Sequence, residues 1–225
     1  MPPRVWPQES NFKNDAEKAL FGALFSSLTT QDAILSNVRL TDAREGDREI
    51  DMIALIHNLG VVIFETKGGH VTYNGEYFVQ SDRHGARKID PHDQVLNNLY
   101  AFKAFLRSRW SYGNVKTEWM LGFPYSRIGK IEIPGIARER IVDILDLNEI
   151  LKNIDVVMNF HSNKNPPRYS DWVERAFDAV KGHPLIETDP ASHIANSYLQ
   201  VKQMTHERGT MLQMIQENDR IYVRG

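Results

Sequence analysis

The stretch EIDMIALIHNLGVVIFETKGG, residues 49–69, sets long apolar runs around Asp51, Glu65 and Lys67. Its middle, His57-Asn58-Leu59-Gly60, is a turn signal between two runs of β-branched and aliphatic residues, which predicts two antiparallel strands joined by a tight loop. A loop centred on Asn58 sets Leu55 against Val61, Ile53 against Ile63 and Asp51 against Glu65. Because side chains alternate between faces, Lys67 and its expected partner Glu49 share the face of Glu65. Directly opposed residues have Cβ atoms about 4.5 to 5.5 Å apart, close enough for Asp51 and Glu65 to share an ion or to repel each other.

Both faces of this hairpin are otherwise apolar: Ile53, Leu55, Val61 and Ile63 on one, and Ile50, Met52, Ala54, Ile56, Val62 and Phe64 on the other. Such a sheet is covered on both sides. The charges gather where one apolar face ends, remote from the turn, where a cleft can open. Two carboxylates in a partly desolvated place need a cation, since their mutual repulsion otherwise raises a pKa or destabilises the fold. Their hard oxygen donors suit Mg²⁺ or Mn²⁺. The alternative is a salt bridge among Asp51, Glu65, Glu49 and Lys67, with the lysine as the cation.

The chain has 225 residues, 41% hydrophobic and 25% charged, which suits a globular protein of one domain with additions or two small ones. With no cysteine, disulfides, thiol catalysis and cysteine zinc sites are excluded, and the composition fits a reducing compartment. The N-terminal MPPRVWPQES has no apolar signal region and no run is long enough to cross a bilayer, so a cytoplasmic location is expected. A formal charge of −2 gives no global attraction to nucleic acid. Binding would use local patches, either RHGARK at 83–88, with Arg83, Arg87 and Lys88, or Arg138 and Arg140; such patches otherwise read as solvated loops.

Around the hairpin, NDAEKALFGALFSSL (14–28) has helical spacing with Asn14 or Asp15 as cap, and AILSNVRL (33–40) reads as a strand followed by the polar loop TDAREGDR. HVTYNGEYFVQ (70–80) carries a second hairpin signal at Asn74-Gly75. Asp90-Pro91 opens a helix with Val95, Leu99, Phe102 and Leu106 on one stripe. A strand is expected over 115–123, a short strand running into a helix over 140–154, and a loop, capped helix and glycine stop over 165–182. The pattern from 190 is helical until RIYVRG.

In this order of elements, EID at 49–51 followed by GVVIFETKGG at 60–69 resembles the acidic strand and the E-x-K strand of the nuclease-related domain, NERD, a branch of the PD-(D/E)XK nuclease superfamily. Glu17 in AEKALFGAL resembles the glutamate of that family's first helix, and Gln94 in DPHDQV the glutamine that opens the helix after the hairpin. Thr66 stands where valine is common, but only its backbone carbonyl is implicated in metal binding. The resemblance covers about residues 15–155. It implies an α/β restriction-endonuclease-like fold, a mixed central sheet flanked by helices, over residues 1–160, with 161–225 a mostly helical extension.

The resemblance also implies a chemistry. Asp51, Glu65 and the Thr66 carbonyl, with Glu17 as a further ligand, would hold Mg²⁺ or Mn²⁺, which polarises a phosphate oxygen and lowers the pKa of a bound water. Lys67 would orient or stabilise that nucleophile, and Gln94 completes the catalytic set. The expected reaction is hydrolysis of single- or double-stranded DNA with little sequence specificity, because phosphate contacts carry no base information. A nuclease fold that binds nucleic acid or a partner protein without cutting is the rival reading. Glu17 also fits an ordinary first-turn carboxylate, and Gln94 a polar residue beside an apolar stripe. No histidine has ligand spacing such as H-E-x-x-H; His92 is of interest only for its nearness to Gln94.

The segment MTHERGTMLQMIQENDRIYVRG, 204–225, resembles the helix and strand that lead to the phosphate-binding loop of a superfamily-one helicase motor; an ordinary terminal helix and strand fits it equally. No G-x-x-x-x-G-K-[ST] occurs, so these residues are not expected to hydrolyse ATP. The likeness implies a helicase motor as partner, in a nuclease-helicase acting in DNA repair or defence against foreign DNA.

Overall fold

The alternating apolar strands of residues 49–66 form the middle of a mixed sheet. A computed structural model describes residues 1–8, 12–42, 46–82, 85–109, 115–160 and 170–182. In chain order the elements are β1 (Arg4–Trp6), α1 (Asp15–Ser27), β2 (Ala33–Asp42), β3 (Gly46–Ile56), β4 (Gly60–Thr66), β5 (His70–Tyr73), β6 (Phe78–Asp82), β7 (Gly85–Ile89), α2 (Pro91–Arg109), β8 (Thr117–Phe123), β9 (Ile141–Asp143), α3 (Ile150–Asn159) and α4 (Trp172–Lys181). The large sheet runs β1-β2-β3-β4-β8-β9 and a smaller one β5-β6-β7. The β2-β3-β4 pairings are antiparallel and the β1-β2, β4-β8 and β8-β9 pairings parallel. This is the mixed sheet flanked by helices that the family resemblance implies.

The hairpin has the predicted register, Ile53 opposite Ile63 and Leu55 opposite Val61. Its turn requires Gly60, whose φ is +131° and whose Cβ, if present, would lie 2.3 Å from the Lys116 carbonyl. Buried Asp32 ties the same turn to the end of α1, accepting from Thr29 N and Oγ1 and from His57 N, each at 2.8 Å.

One face of the sheet packs Ile53, Leu55, Val61 and Ile63 against α2, α4 and the small sheet; the other packs Met52, Ala54, Val62 and Phe64 against α1 and α3. Each fully buried aliphatic or aromatic side chain here contributes roughly 1.5–3 kcal/mol, so both layers hold the hairpin rigidly. Trp172 is buried and donates Nε1 to the His57 carbonyl at 2.8 Å, which makes α4 part of the compact unit Met1–Gly182. Among the described residues no helix is long and apolar enough to cross a membrane. The segments read as helical from 190 and as helicase-like from 204 lie outside the described residues.

Four details differ from the sequence expectation. The N-terminal stretch contributes a strand, β1, parallel to β2. The polar loop 41–48 is largely strand, as β2 and β3 continue to pair through Asp42↔Gly46. GARKI forms β7, the third strand of the small sheet. Ile50 lies with Ile53 rather than with Met52, and its partner Val38 does the same. The ladder between β2 and β3 skips Asn37 and Asp51, and Asn37 takes a left-handed φ of +51°. That local twist moves both strands out of strict alternation, with Asp51 at the point where it happens.

Candidate metal and phosphodiester site

The β3-β4 ladder ends at Met52↔Phe64, and one step beyond it Asp51 and Glu65 converge. They lie at the C-terminal end of β4, in a cleft of about 440 Å³ also lined by Glu17, Lys67, Gln94 and Asn98. The structure thus gathers the five side chains singled out from sequence into one place. Asp51 Oδ2 accepts from Thr66 N at 2.8 Å. In an extended strand the N–H and C=O of one residue leave along the same edge, so the Thr66 carbonyl faces the β3 side as well. Glu65 Oε1 accepts from Lys67 Nζ at 2.7 Å and Oε2 from Asn98 Nδ2 at 3.3 Å. Asn98 also donates to the Glu49 carbonyl at 3.2 Å, bracing β3 against β4 from the helix above.

The expected Glu49–Lys67 pairing does not form. The β3-β4 ladder ends at Met52↔Phe64, before Glu49 comes opposite Lys67; Glu49 is opposite Arg39 in β2 and bridges to Lys13 at 2.9 Å and Arg39 at 3.8 Å. Lys67 therefore serves Glu65, and no ammonium or guanidinium among the described residues bridges to Asp51. Burial pushes the Asp51 carboxyl above the usual carboxylate range, against the opposing pull of the Thr66 N–H and Lys67. Burial, and then the Asp51 charge, push Glu65 up to about 7. Two partly desolvated carboxylates with one ammonium between them leave negative charge that a dication would neutralise.

Glu17 is buried, and burial raises its pKa. Asn14 caps α1 by accepting from Glu17 N, while Glu17 reaches back to Lys13 N at 3.0 Å and Asn14 Nδ2 at 2.8 Å. Both its oxygens are engaged in this variant of a capping box, although Asp51 is close enough for its charge to help raise the Glu17 pKa. Gln94 lies on the exposed side of the first turns of α2, at the cleft wall. His92 packs its ring on Trp119, centroids 4.9 Å apart, on the core side of the helix.

Among the described residues no three His, Asp or Glu side chains converge as a ligand set. Two carboxylates and a backbone carbonyl nonetheless fit a small hard dication, since Mg²⁺ commonly keeps several waters and takes only one or two protein carboxylates. Asp51 Oδ1 makes no hydrogen bond among the described residues, and the charge imbalance at Asp51 and Glu65 has the sign a cation requires.

Of the basic patches, Arg87 lines the cleft while Lys88 stands over the Tyr77 ring at 4.5 Å; Arg83 lies outside the described residues. Arg138 and Arg140 are engaged within the fold. Arg138 bonds the Gly129 and Ile141 carbonyls, Asp143 and Asp146, and Arg140 bonds the Trp119 carbonyl and Glu118. Asn98 and Gln80 were missed as cleft residues from sequence. Asn98 is four residues beyond Gln94, hence on the same helix face, and that spacing was the available signal.

Fold and cleft together define a restriction-endonuclease-like α/β protein with an Asp, Glu-x-Lys constellation. Residues 13–124 match the nuclease-related domain, NERD, and through that region the chain belongs to this family. No curated protein and no solved structure matches the chain.

Proposed function

We propose that the protein is a Mg²⁺- or Mn²⁺-dependent nuclease that hydrolyses DNA phosphodiester bonds with little sequence specificity. The observation that supports this best is the buried, mutually repelling pair of Asp51 and Glu65 beside Lys67 in an open polar cleft. Asp51, Glu65 and the Thr66 carbonyl would hold the ion. When bound it supplies Lewis acidity toward a phosphate oxygen and toward water. Lys67 Nζ, fixed 2.7 Å from Glu65 Oε1, places a positive charge where negative charge develops on the phosphate. Asn98 fixes the other oxygen of Glu65, so neither rotamer nor strand end drifts. Glu17 lines the same cleft with its oxygens held by the helix cap, and Gln94 offers an amide from the first turns of α2. A helicase motor as partner belongs to the same proposal and rests on residues 204–225 alone.

Incubation of the protein with single-stranded, linear duplex and supercoiled DNA, with Mn²⁺ or with EDTA, tests the reading. Cleavage is expected with metal only, and cleavage that persists in Asp51→Ala or Lys67→Ala refutes the assignment. A binding module that does not cut is favoured by one observation: both oxygens of Glu17 are tied up in the cap of α1, leaving two convergent carboxylates. A gel shift in Ca²⁺ without cleavage in Mn²⁺ at high protein concentration selects that reading.

A further inference from the structure

The register of the small sheet decides which of its side chains look into the cleft. Val71, Gln80 and Arg87 lie directly across from one another on β5, β6 and β7, and opposed residues share a face. Tyr73, Phe78 and Ile89 lie two steps along that face, where they pack into the core beside Phe123. The inward face is therefore apolar at one end and becomes polar where it reaches the cleft. Lys88 falls on the outward face with Tyr77.

Arg87 lines the cleft although 66% of its side chain is exposed, so its orientation depends on what holds it. The nearest carboxylate to bridge it, Asp82, is 3.9 Å from Nη2. Instead Arg87 Nε and Nη2 both donate to Oε1 of buried Gln80, at 3.3 and 3.0 Å. Gln80 Nε2 in turn donates to the Gly68 carbonyl at 2.6 Å, one residue beyond Lys67. The two bonds to a neutral amide set the direction of the guanidinium, and its one ion pair among the described residues, to Asp82 at 3.9 Å, is long and exposed, so its charge is only weakly compensated. Nη1, which makes no hydrogen bond among the described residues, is left for an incoming acceptor.

We propose that Arg87 binds a backbone phosphate of the nucleic-acid strand in the cleft, and that Gln80 is a positioning residue that aims it from the end of the E-x-K strand. The proposal rests on the nuclease-related reading of the cleft. The ligand class follows from the chemistry, since a planar guanidinium at a polar wall matches the paired oxygens of a phosphodiester. Because Gln80 grips both Arg87 and Gly68, the bound phosphate keeps a fixed offset from Lys67 and the strand is held in register with the cutting site.

Binding of a labelled DNA duplex in Ca²⁺, titrated over salt, provides the test. Arg87→Ala is expected to lower the slope of log affinity against log salt by about 0.9, the value of one phosphate contact on duplex DNA. Gln80→Met, similar in size but without either hydrogen bond, is expected to weaken binding when Arg87 is present and to add nothing in the Arg87→Ala background. Arg87→Lys should keep the slope and no longer respond to Gln80→Met. Should Gln80→Met fail to fold, Gln80→Asn, too short to span Gly68 and Arg87, takes its place. An unchanged slope in Arg87→Ala, additive losses in the double variant, or no DNA binding by the wild type overturns the proposal. Intact salt-sensitive binding with no cleavage under any metal sinks the nuclease reading alone.

Discussion

Replacing Glu65 by glutamine removes a carboxylate that the folded chain holds against its own preference. Its side chain is only 7% exposed, and burial with the nearby Asp51 charge raises its pKa from 4.5 to about 7. Between those two values the folded state binds more protons than the unfolded one. Wild-type stability from this group is therefore complete below pH 4.5 and is lost as pH rises through 7. At about 1.36 kcal/mol per pKa unit, the shift corresponds to roughly 3 kcal/mol of destabilisation in the ionised state. Glutamine keeps the size and an oxygen for Lys67 or Asn98 but gives up the ion pair, so the net gain is on the order of 2 kcal/mol. Urea unfolding of both proteins in EDTA, across pH 4 to 8, reads this directly. Glu65→Gln should be the more stable protein above pH 7, with the advantage vanishing toward pH 4.5. A variant less stable than wild type above pH 7, or a difference independent of pH, refutes the reasoning.

Other consequences follow from the same contacts. Mn²⁺ at ten times its Kd should stabilise the wild type by roughly 1.4 kcal/mol in thermal melts; Asp51→Asn should abolish the shift and Lys67→Ala keep or enlarge it, and a wild-type melt unmoved by millimolar Mn²⁺ would contradict the site. Asn98→Leu leaves Glu65 Oε2 and the Glu49 carbonyl without their donor and should cost about 1–3 kcal/mol by denaturant unfolding, against near-neutrality if that amide is idle. Gly60→Ala forces a Cβ onto the Lys116 carbonyl at a left-handed φ and should cost at least about 2 kcal/mol, whereas a cost of a few tenths would mean the turn relaxes freely.

The central hairpin is legible because two apolar runs of strand length flank a turn signal whose residues fix the register. The helix cap at Asn14 and the Asn74-Gly75 hairpin were legible for similar local reasons; Asn74 Oδ1 accepts from Glu76 N and Tyr77 N. What escaped had no local signature. Arg4–Trp6 is too short to show a period, and GARKI is exposed at four of its five residues, so it carries no apolar alternation. The crossing of Ile50 to the other face depends on the left-handed backbone of Asn37 in a neighbouring strand, which composition does not encode. Within the site, the acidic pair and Lys67 stand out as charges in apolar strands. Asn98 and Gln80 are ordinary polar residues until α2 and the small sheet are laid against the end of β4.

The central claim is that Asp51, Glu65 and Lys67 form a hydrolytic site, and single-turnover cleavage of a labelled duplex in Mn²⁺, at protein concentrations that bind all the DNA, tests it most directly. Wild-type protein should cut, while Lys67→Met should bind the same DNA and cut about 10²- to 10³-fold more slowly, the usual cost of losing a preorganised charge at a reacting phosphate. Equal cutting by the two proteins, or none by the wild type with the duplex fully bound, would contradict it.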